Sequence, residues 1–236
     1  EARAVAARLG QAHSRSLGLF KAHFGKLSGR DTVVVESGLG ANAAYAATLQ
    51  VIEFYPLRFV FDFGLAGAVS PDLKIGDLLL PEKIVPYDLP SSFSYLATIE
   101  GALTDEQKKA CSREAFEARA IRIAGLEPLA EAVGARRVVL GCADIGISSA
   151  RDRRFLHREF GFDAVDWETC AVIEAARSRG VAAVSLRVVS DLANEQAEQQ
   201  VRESYRRVLA HAADTLVRHL WDFLKLAGET HEPARR

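Results

Sequence analysis

Residues 184–193 constrain the fold of this chain more than any other stretch. A mostly apolar run within this stretch contains Arg187 and ends in the polar residues Ser190 and Asp191. Such a run is typical of a strand covered on both faces, as in the parallel sheets of α/β domains. Ligands bind at the carboxyl ends of these strands, so Asp191 is a candidate acid or base. A helix N-cap role is the alternative, because Asp before Leu-Ala can accept backbone N–H bonds.

Strands and helices alternate along most of the 236 residues, which predicts one α/β domain spanning residues 1–236. Strands are predicted at residues 32–36, 59–63, 78–85, 137–140 and 164–166, and helices at residues 1–10, 42–53, 150–160 and 168–179, followed by a long amphipathic helix that ends near residue 226. Residues 64–68 are interpreted as a Gly/Ala turn that lets the backbone approach a ligand closely. Residues 90–104 are interpreted as a surface loop that forms a lid or a subunit contact.

The charge and cysteine content narrow the partners and the compartment. With 30 Lys and Arg against 31 Asp and Glu, the net charge of −1 gives no electrostatic basis for binding nucleic acid or an anionic membrane surface. No apolar run of the sequence is long enough to span a bilayer. Cys111, Cys142 and Cys170 are an odd number of widely spaced residues, which favours the reducing cytoplasm and no metal site.

A glycine pattern offers a first hypothesis about function. Gly38, Gly40 and Ala43 follow a predicted strand and open a helix, and Asp62 lies about twenty residues further on. This is the outline of a dinucleotide-binding fingerprint, which would make the protein a nicotinamide-dependent oxidoreductase. Tight packing between strand and helix explains the glycines equally well without any ligand.

A second group of polar residues lies before the helix predicted at residues 168–179. Asp166, Trp167 and Glu168 lie where a strand passes into that helix. Glu168 can be an ordinary first-turn carboxylate stabilised by the helix dipole, and Trp167 can be a core residue. Alternatively, Glu168 and Asp191 divide the work at the ends of two strands: one binds sugar hydroxyls and the other donates a proton to a leaving base.

Taken together, five motifs resemble the nucleoside phosphorylase/nucleosidase superfamily, and within it most closely the 5′-methylthioadenosine/S-adenosylhomocysteine nucleosidases. The motifs are Ser-Gly-Leu-Gly at 37–40, Gly-Leu-Ala-Gly at 64–67, Gly-Asp at 76–77, Val-Asp-Trp-Glu at 165–168 and Arg-Val-Val-Ser-Asp at 187–191. They occur in the order and at the spacing of that family over residues 1–213. The resemblance implies a three-layer α/β/α sandwich with a central mixed sheet, a homodimer, a purine nucleoside as the ligand, and no cofactor.

The resemblance also implies roles for the catalytic residues. Asp191 matches the general acid that protonates N7 of adenine, and Ser190 matches the residue that orients it. Glu168 matches the carboxylate that binds the ribose 2′- and 3′-hydroxyls. Glu1 matches the glutamate that activates the attacking water, and Arg187 matches a residue near that water.

Further positions are implied to contact the substrate. Ile145 and Ala193 match positions beside the base, and Tyr205 matches an aromatic position near the sugar; Ala66 and Gly67 complete the set. Three residues depart from the family pattern: Trp167 replaces a Met under the ribose, Asp144 replaces an aromatic residue that stacks on adenine, and Leu65 replaces a Ser near the water.

The choice between water and phosphate as the nucleophile follows from charge. Phosphate needs a cationic clamp, and phosphorylases of the family carry an Arg two residues before the Gly-x-x-Gly motif, where this chain has Asp62. Because an anion there repels phosphate and Glu1 supplies a base for water, we expect hydrolysis of the N-glycosidic bond. A phosphate-dependent purine nucleoside phosphorylase and a nucleoside-binding protein without catalysis are the alternatives.

Overall fold

A computed structural model of the chain describes residues 1–87 and 113–225. The helices are α1 (Ala2–Ala6), α2 (Ala41–Phe54), α3 (Arg113–Arg119), α4 (Glu127–Val133), α5 (Ala150–Phe160), α6 (Thr169–Ser178), α7 (Ala197–Arg218) and α8 (Leu220–Lys225). The strands are β1 (Gly10–Leu17), β2 (Phe20–Leu27), β3 (Arg30–Glu36), β4 (Phe59–Ala68), β5 (Leu78–Pro86), β6 (Ile121–Arg122), β7 (Arg136–Cys142), β8 (Ala164–Asp166) and β9 (Ala182–Asp191). They form an α/β protein.

The central sheet is mixed and has the order β6-β5-β7-β8-β4-β9. Strand β4 runs parallel to β9 over most of its length and antiparallel to β8 at its carboxyl end. An additional antiparallel pairing of β5 with β9 joins five of these strands into a closed ring. Strands β1, β2 and β3 form a separate antiparallel sheet. The parallel pairing of β4 with β9 brings the carboxyl ends of these two strands next to each other.

Helices cover the central sheet on both sides, which confirms the expected three layers. Small residues of α2 and α6 pack together against β4, around Ala44, Ala171 and Ala176. On the other side α7 and α8 bury an apolar stripe against β9 that includes Leu209, Leu216 and Phe223. Burial of such side chains, at about 25 cal/mol per Å² of apolar surface, is the main force that holds the layers together.

The predicted elements are mostly confirmed, with instructive exceptions. The predicted turn at residues 64–68 is wrong, because β4 continues to Ala68, where backbone pairing on both edges outweighs the turn preference of small residues. The predicted helix at residues 1–10 is only one turn and a half long. The predicted loop at residues 90–104 lies outside the described residues. Within residues 1–87 and 113–225, no helix combines the length and the apolar character that crossing a membrane requires.

Candidate active site

Arg187 is the centre of a buried polar cluster between β4, β9 and α6. Its side chain is 1% exposed. Nη2 lies 2.6 Å from Oδ2 of Asp62 and 2.9 Å from Oδ2 of Asp166, and Nε donates to Oγ1 of Thr169 at 2.8 Å. Burial opposes the charged form, but the carboxylates of Asp62 and Asp166 outweigh it and raise the pKa of Arg187. The guanidinium is therefore a permanent cation with a fixed direction.

Glu1 reaches the same cluster from the amino end of the described chain. Its Oε1 accepts a hydrogen bond from the backbone N–H of Leu65 at 2.8 Å. A Cβ atom at Gly64 would lie 2.9 Å from Oε1 of Glu1 and 2.0 Å from Nη1 of Arg187. The bare backbone of Gly64 is therefore what allows these two side chains to approach β4 together.

Glu168 lies at the start of α6, yet its side chain makes no cap hydrogen bond to that helix. Instead Oε1 accepts from the backbone N–H of Gly40 at 2.9 Å. Burial raises the pKa of Glu168 to about 7, against the opposing effects of the Gly40 hydrogen bond and of Arg187. Nearby, Asp144 accepts from the N–H of Ala41 at 2.9 Å. Two carboxylates thus occupy the amino end of α2.

Asp191 lies at the last position of β9, against Gly67 of β4. Ser190 Oγ donates to its Oδ2 at 2.7 Å, and the N–H of Ala193 donates to its Oδ1 at 2.9 Å. A Cβ atom at Gly67 would lie 3.1 Å from Oδ1 of Asp191 and 3.5 Å from Cβ of Ala193. Burial raises the pKa of Asp191, while the two hydrogen bonds partly oppose it. Ala66 lies between this group and the Gly64 group on β4.

Trp167 and Ile145 lie together, on the loops that follow β8 and β7. Trp167 Nε1 donates to the backbone oxygen of Ile145 at 3.1 Å, and the indole is 38% exposed. The indole also borders a cavity of about 170 Å³ whose lining includes Ala143, Cys142 and Tyr45. The ring is therefore an accessible apolar surface held in place at its nitrogen.

Tyr205 lies on α7 and is 41% exposed. Its phenol is within electrostatic range of Arg3 in α1. The structure thus brings Glu1, Arg187 and Glu168 into one region, Asp191, Ser190 and Ala193 into a second, and Trp167 with Ile145 into a third. Gly40 and the segment from Gly64 to Gly67 connect them.

Comparison with known proteins identifies the family. A family model described as Phosphorylase superfamily matches residues 1–225. The chain belongs to the phosphorylase superfamily. It is 26% identical over 197 residues to the 5′-methylthioadenosine/S-adenosylhomocysteine nucleosidase of Geobacillus kaustophilus, covering 82% of this chain and 80% of that one. It is 27% identical over 199 residues to the enzyme of that name from a Marinomonas species, covering 83% of each.

Solved structures with the same fold include two from Helicobacter pylori. Futalosine hydrolase superposes with a TM-score of 0.76 at 23% identity, covering 93% of this chain and 92% of that chain. The 5′-methylthioadenosine/S-adenosylhomocysteine nucleosidase, in complex with an inhibitor, superposes with a TM-score of 0.75 at 23% identity and the same coverage.

The geometry of this superfamily member overturns two alternative interpretations. Asp191 is not the N-cap of the following helix, because α7 begins six residues later, at Ala197, and its N-cap is Gln196. The glycines at 38 and 40 do not form a dinucleotide site, since β3 belongs to the separate antiparallel sheet and the first N–H groups of α2 are bound by Glu168 and Asp144. A pyrophosphate would find those donors occupied.

Sequence reasoning missed the polar support around Arg187. Thr169 and Ser185 both donate to Oδ2 of Asp62, at 2.8 and 2.7 Å. The only signal in the sequence was the isolated Ser185 and Arg187 within an otherwise apolar strand, two residues apart and hence on one face. Within residues 1–87 and 113–225, no group of three or more His, Cys, Asp or Glu side chains is arranged to hold a metal ion.

Proposed function

We propose that this protein hydrolyses the N-glycosidic bond of a purine nucleoside and releases adenine, with 5′-methylthioadenosine and S-adenosylhomocysteine as substrates. The names of the relatives and the motifs around Glu168 and Asp191 support this substrate class. We further propose that the enzyme acts without a cofactor, as a cytoplasmic homodimer in methionine salvage.

One observation carries the proposal: β4 holds two carboxyl groups in different environments at two of its glycines. Glu1 lies at Gly64, and Asp191 lies at Gly67. Three residues of a strand span about 10 Å at about 3.3 Å per residue, the scale of a nucleoside. An acid at one end and a water-activating base at the other are what cleavage of a glycosidic bond requires.

Asp191 supplies the acid half of the reaction. Burial raises its pKa, which favours the protonated carboxyl group that a general acid needs. Ser190 and the N–H of Ala193 fix the direction of the carboxyl group. The proton passes to N7 of the leaving adenine, which takes the electrons of the breaking carbon–nitrogen bond. Ile145 and Ala193 lie beside the base.

Glu1, Glu168 and Arg187 supply the other half. Glu168 binds the ribose 2′- and 3′-hydroxyls, and in its ionised form it stabilises the positive charge that develops on the sugar. Glu1 accepts a proton from water, which attacks the anomeric carbon. Arg187 holds the site in shape through its fixed ion pairs. Trp167 forms an apolar platform at the sugar, and Tyr205 is the aromatic residue that the family resemblance assigns to a position near the sugar.

The small residues Ala66 and Gly67 complete the pocket. Small residues there leave room between the two groups of carboxylates. Asp144 takes no part in stacking in this proposal, because its carboxylate is bound to the N–H of Ala41.

Incubation with a panel of nucleosides tests the proposal. Free adenine should appear from 5′-methylthioadenosine and S-adenosylhomocysteine at rates that do not depend on phosphate. Adding futalosine, adenosine and inosine to the panel resolves the base and the 5′ substituent. Phosphate-dependent release with a pentose 1-phosphate as product would establish a phosphorylase instead, and tight binding of intact nucleoside without release would establish a binding protein.

The variant Asp191→Asn tests the acid. It keeps the shape but cannot donate a proton as a carboxylic acid does, so kcat should fall by about 10²–10⁴-fold. Asp163→Asn is the matched control, because Asp163 accepts a backbone N–H from Val139 at 2.9 Å outside the site. Unchanged turnover in Asp191→Asn would eliminate the assignment.

A further inference from the structure

Asp62 is a buried carboxylate of the cluster that takes no direct part in either proposed half-reaction. Its Oδ2 accepts from Nη2 of Arg187 at 2.6 Å, from Oγ of Ser185 at 2.7 Å and from Oγ1 of Thr169 at 2.8 Å. Asp62 is 7% exposed. The single hydroxyl proton of Thr169 is shared with Oδ2 of Asp166, which lies 2.5 Å from Oγ1. Arg187 and Ser185 are therefore the donors that fix this buried carboxylate as a structural anion rather than a group that exchanges partners.

The register of β4 and β9 explains why Arg187 turns toward Asp62. Asp62 is paired with Ser185, and Gly64 is paired with Arg187. Asp62 and Gly64 are two residues apart and so share a face of β4. Because Gly64 has no side chain, the guanidinium lies across its backbone and reaches Asp62 with Nη2.

The contacts of Arg187 occupy most of the N–H groups of its guanidinium, so few are available to bind another anion. Nη2 is bound by Asp62 and Asp166, and Nε is bound by Thr169. Nη1 lies against the backbone of Gly64. The carboxyl groups of Asp62, Asp166, Glu1 and Glu168 all act electrostatically on this cation.

We propose that Asp62 is a positioning residue that keeps Arg187 engaged and thereby excludes anionic nucleophiles such as phosphate from the region beside Glu1. With its guanidinium bound to Asp62, Arg187 cannot form the bidentate contact that phosphate prefers. Neutral water enters the same region without electrostatic cost. The choice of water over phosphate therefore depends on Asp62 as well as on Glu1. The role of Asp62 in the choice of nucleophile rests on the proposed hydrolytic function, whereas its effect on phosphate binding can be tested without that function.

Phosphate binding to the Asp62→Asn variant is the decisive measurement. The substitution keeps the shape of the side chain and an oxygen for Thr169 and Ser185, but removes the closer of the two negative charges that hold Nη2 of Arg187. Titration calorimetry with inorganic phosphate should show binding to Asp62→Asn that is at least about tenfold tighter than to the wild type, as one newly available charge-assisted hydrogen bond predicts. Asp62→Glu should restore the wild-type exclusion, and Asp163→Asn should match the wild type.

Kinetics separate positioning from mere structural support. In Asp62→Asn, kcat should fall while KM for the nucleoside changes little, and phosphate should inhibit at concentrations that leave the wild type unaffected. If Asp62→Asn does not fold by circular dichroism, Asp62→Ser takes its place, because it keeps a hydroxyl and removes bulk.

Equal phosphate affinity in the folded variant and the wild type would overturn the proposal. So would equally tight phosphate binding to Asp163→Asn, because the effect would then come from any lost carboxylate. The calorimetric result does not depend on turnover. A wild type that releases no adenine therefore refutes the proposed function alone, whereas unchanged phosphate affinity in Asp62→Asn refutes the role of Asp62 alone.

Discussion

Replacing Gly64 by Ala tests whether the buried cluster depends on a bare stretch of β4. The new Cβ would lie 2.0 Å from Nη1 of Arg187 and 2.9 Å from Oε1 of Glu1. The end of an Arg side chain usually moves aside at little cost. This one is 1% exposed and is held by Asp62, Asp166 and Thr169, so it cannot move without loss of those contacts.

The expected size of the effect follows from this confinement. Overpacking a buried site by one carbon typically costs about 1–3 kcal/mol. For a chain of this length, each kcal/mol lowers Tm by about 2–4 °C, so Gly64→Ala should melt roughly 2–12 °C below the wild type. A larger loss would mean that the ion pairs of Arg187 are broken outright. Adenine release should fall with either outcome, since Glu1 is displaced from the N–H of Leu65.

Urea unfolding followed by circular dichroism gives the free energy of unfolding directly. Gly10→Ala is the matched control, because a Cβ at Gly10 meets only the backbone oxygen of Lys26, at an ordinary 3.6 Å. It should change the stability by less than about 1 kcal/mol. If Gly64→Ala is as stable and as active as Gly10→Ala, the packing of Arg187 and Glu1 over β4 is not as described.

Two further substitutions test the electrostatics. Because the pKa of Glu168 is raised, this residue contributes to the stability of the wild type fully below pH 4.5, and the contribution is lost as pH rises through about 7. The Tm of Glu168→Gln relative to the wild type should therefore rise from pH 4.5 to above pH 7. A Tm difference that does not depend on pH would contradict the raised pKa. Arg187→Met should lower the free energy of unfolding in urea by about 3–5 kcal/mol, because it leaves buried carboxylates unpaired. Arg179→Met, which breaks an exposed ion pair with Glu53, should lower it by at most about 1 kcal/mol. Similar losses of stability in the two variants would contradict the distinction between buried and exposed ion pairs.

The sequence was sufficient for the elements that local patterns determine. The apolar run before Ser190 and Asp191 predicted a covered strand with a polar carboxyl end, and β9 ends at Asp191. The helices at 150–160 and after Glu168 were placed correctly, because Gly161 and Gly180 end them and amphipathic spacing marks their faces. The α/β class and the superfamily followed from this order of elements and from the five motifs.

Segments with conflicting local signals were predicted poorly. Residues 64–68 have the composition of a turn, but β4 continues through them because neighbouring strands offer hydrogen bonds on both edges. Residues 17–25 carry no clear local pattern, and they belong to β1, β2 and the turn between them, where pairing partners decide the conformation.

By itself, the sequence determined the kinds of groups available: carboxyl groups at strand ends, one Arg within an apolar strand, and glycines where the backbone must stay bare. Only the tertiary structure decided which carboxyl groups belong to which partner. Asp62, Asp166 and Arg187 are separated by up to 125 positions, yet share one buried cluster because β4 and β9 are neighbours in register. Spacing along a chain encodes the faces of single elements, whereas ion pairs and pKa shifts depend on burial and distance, which exist only after the elements have packed.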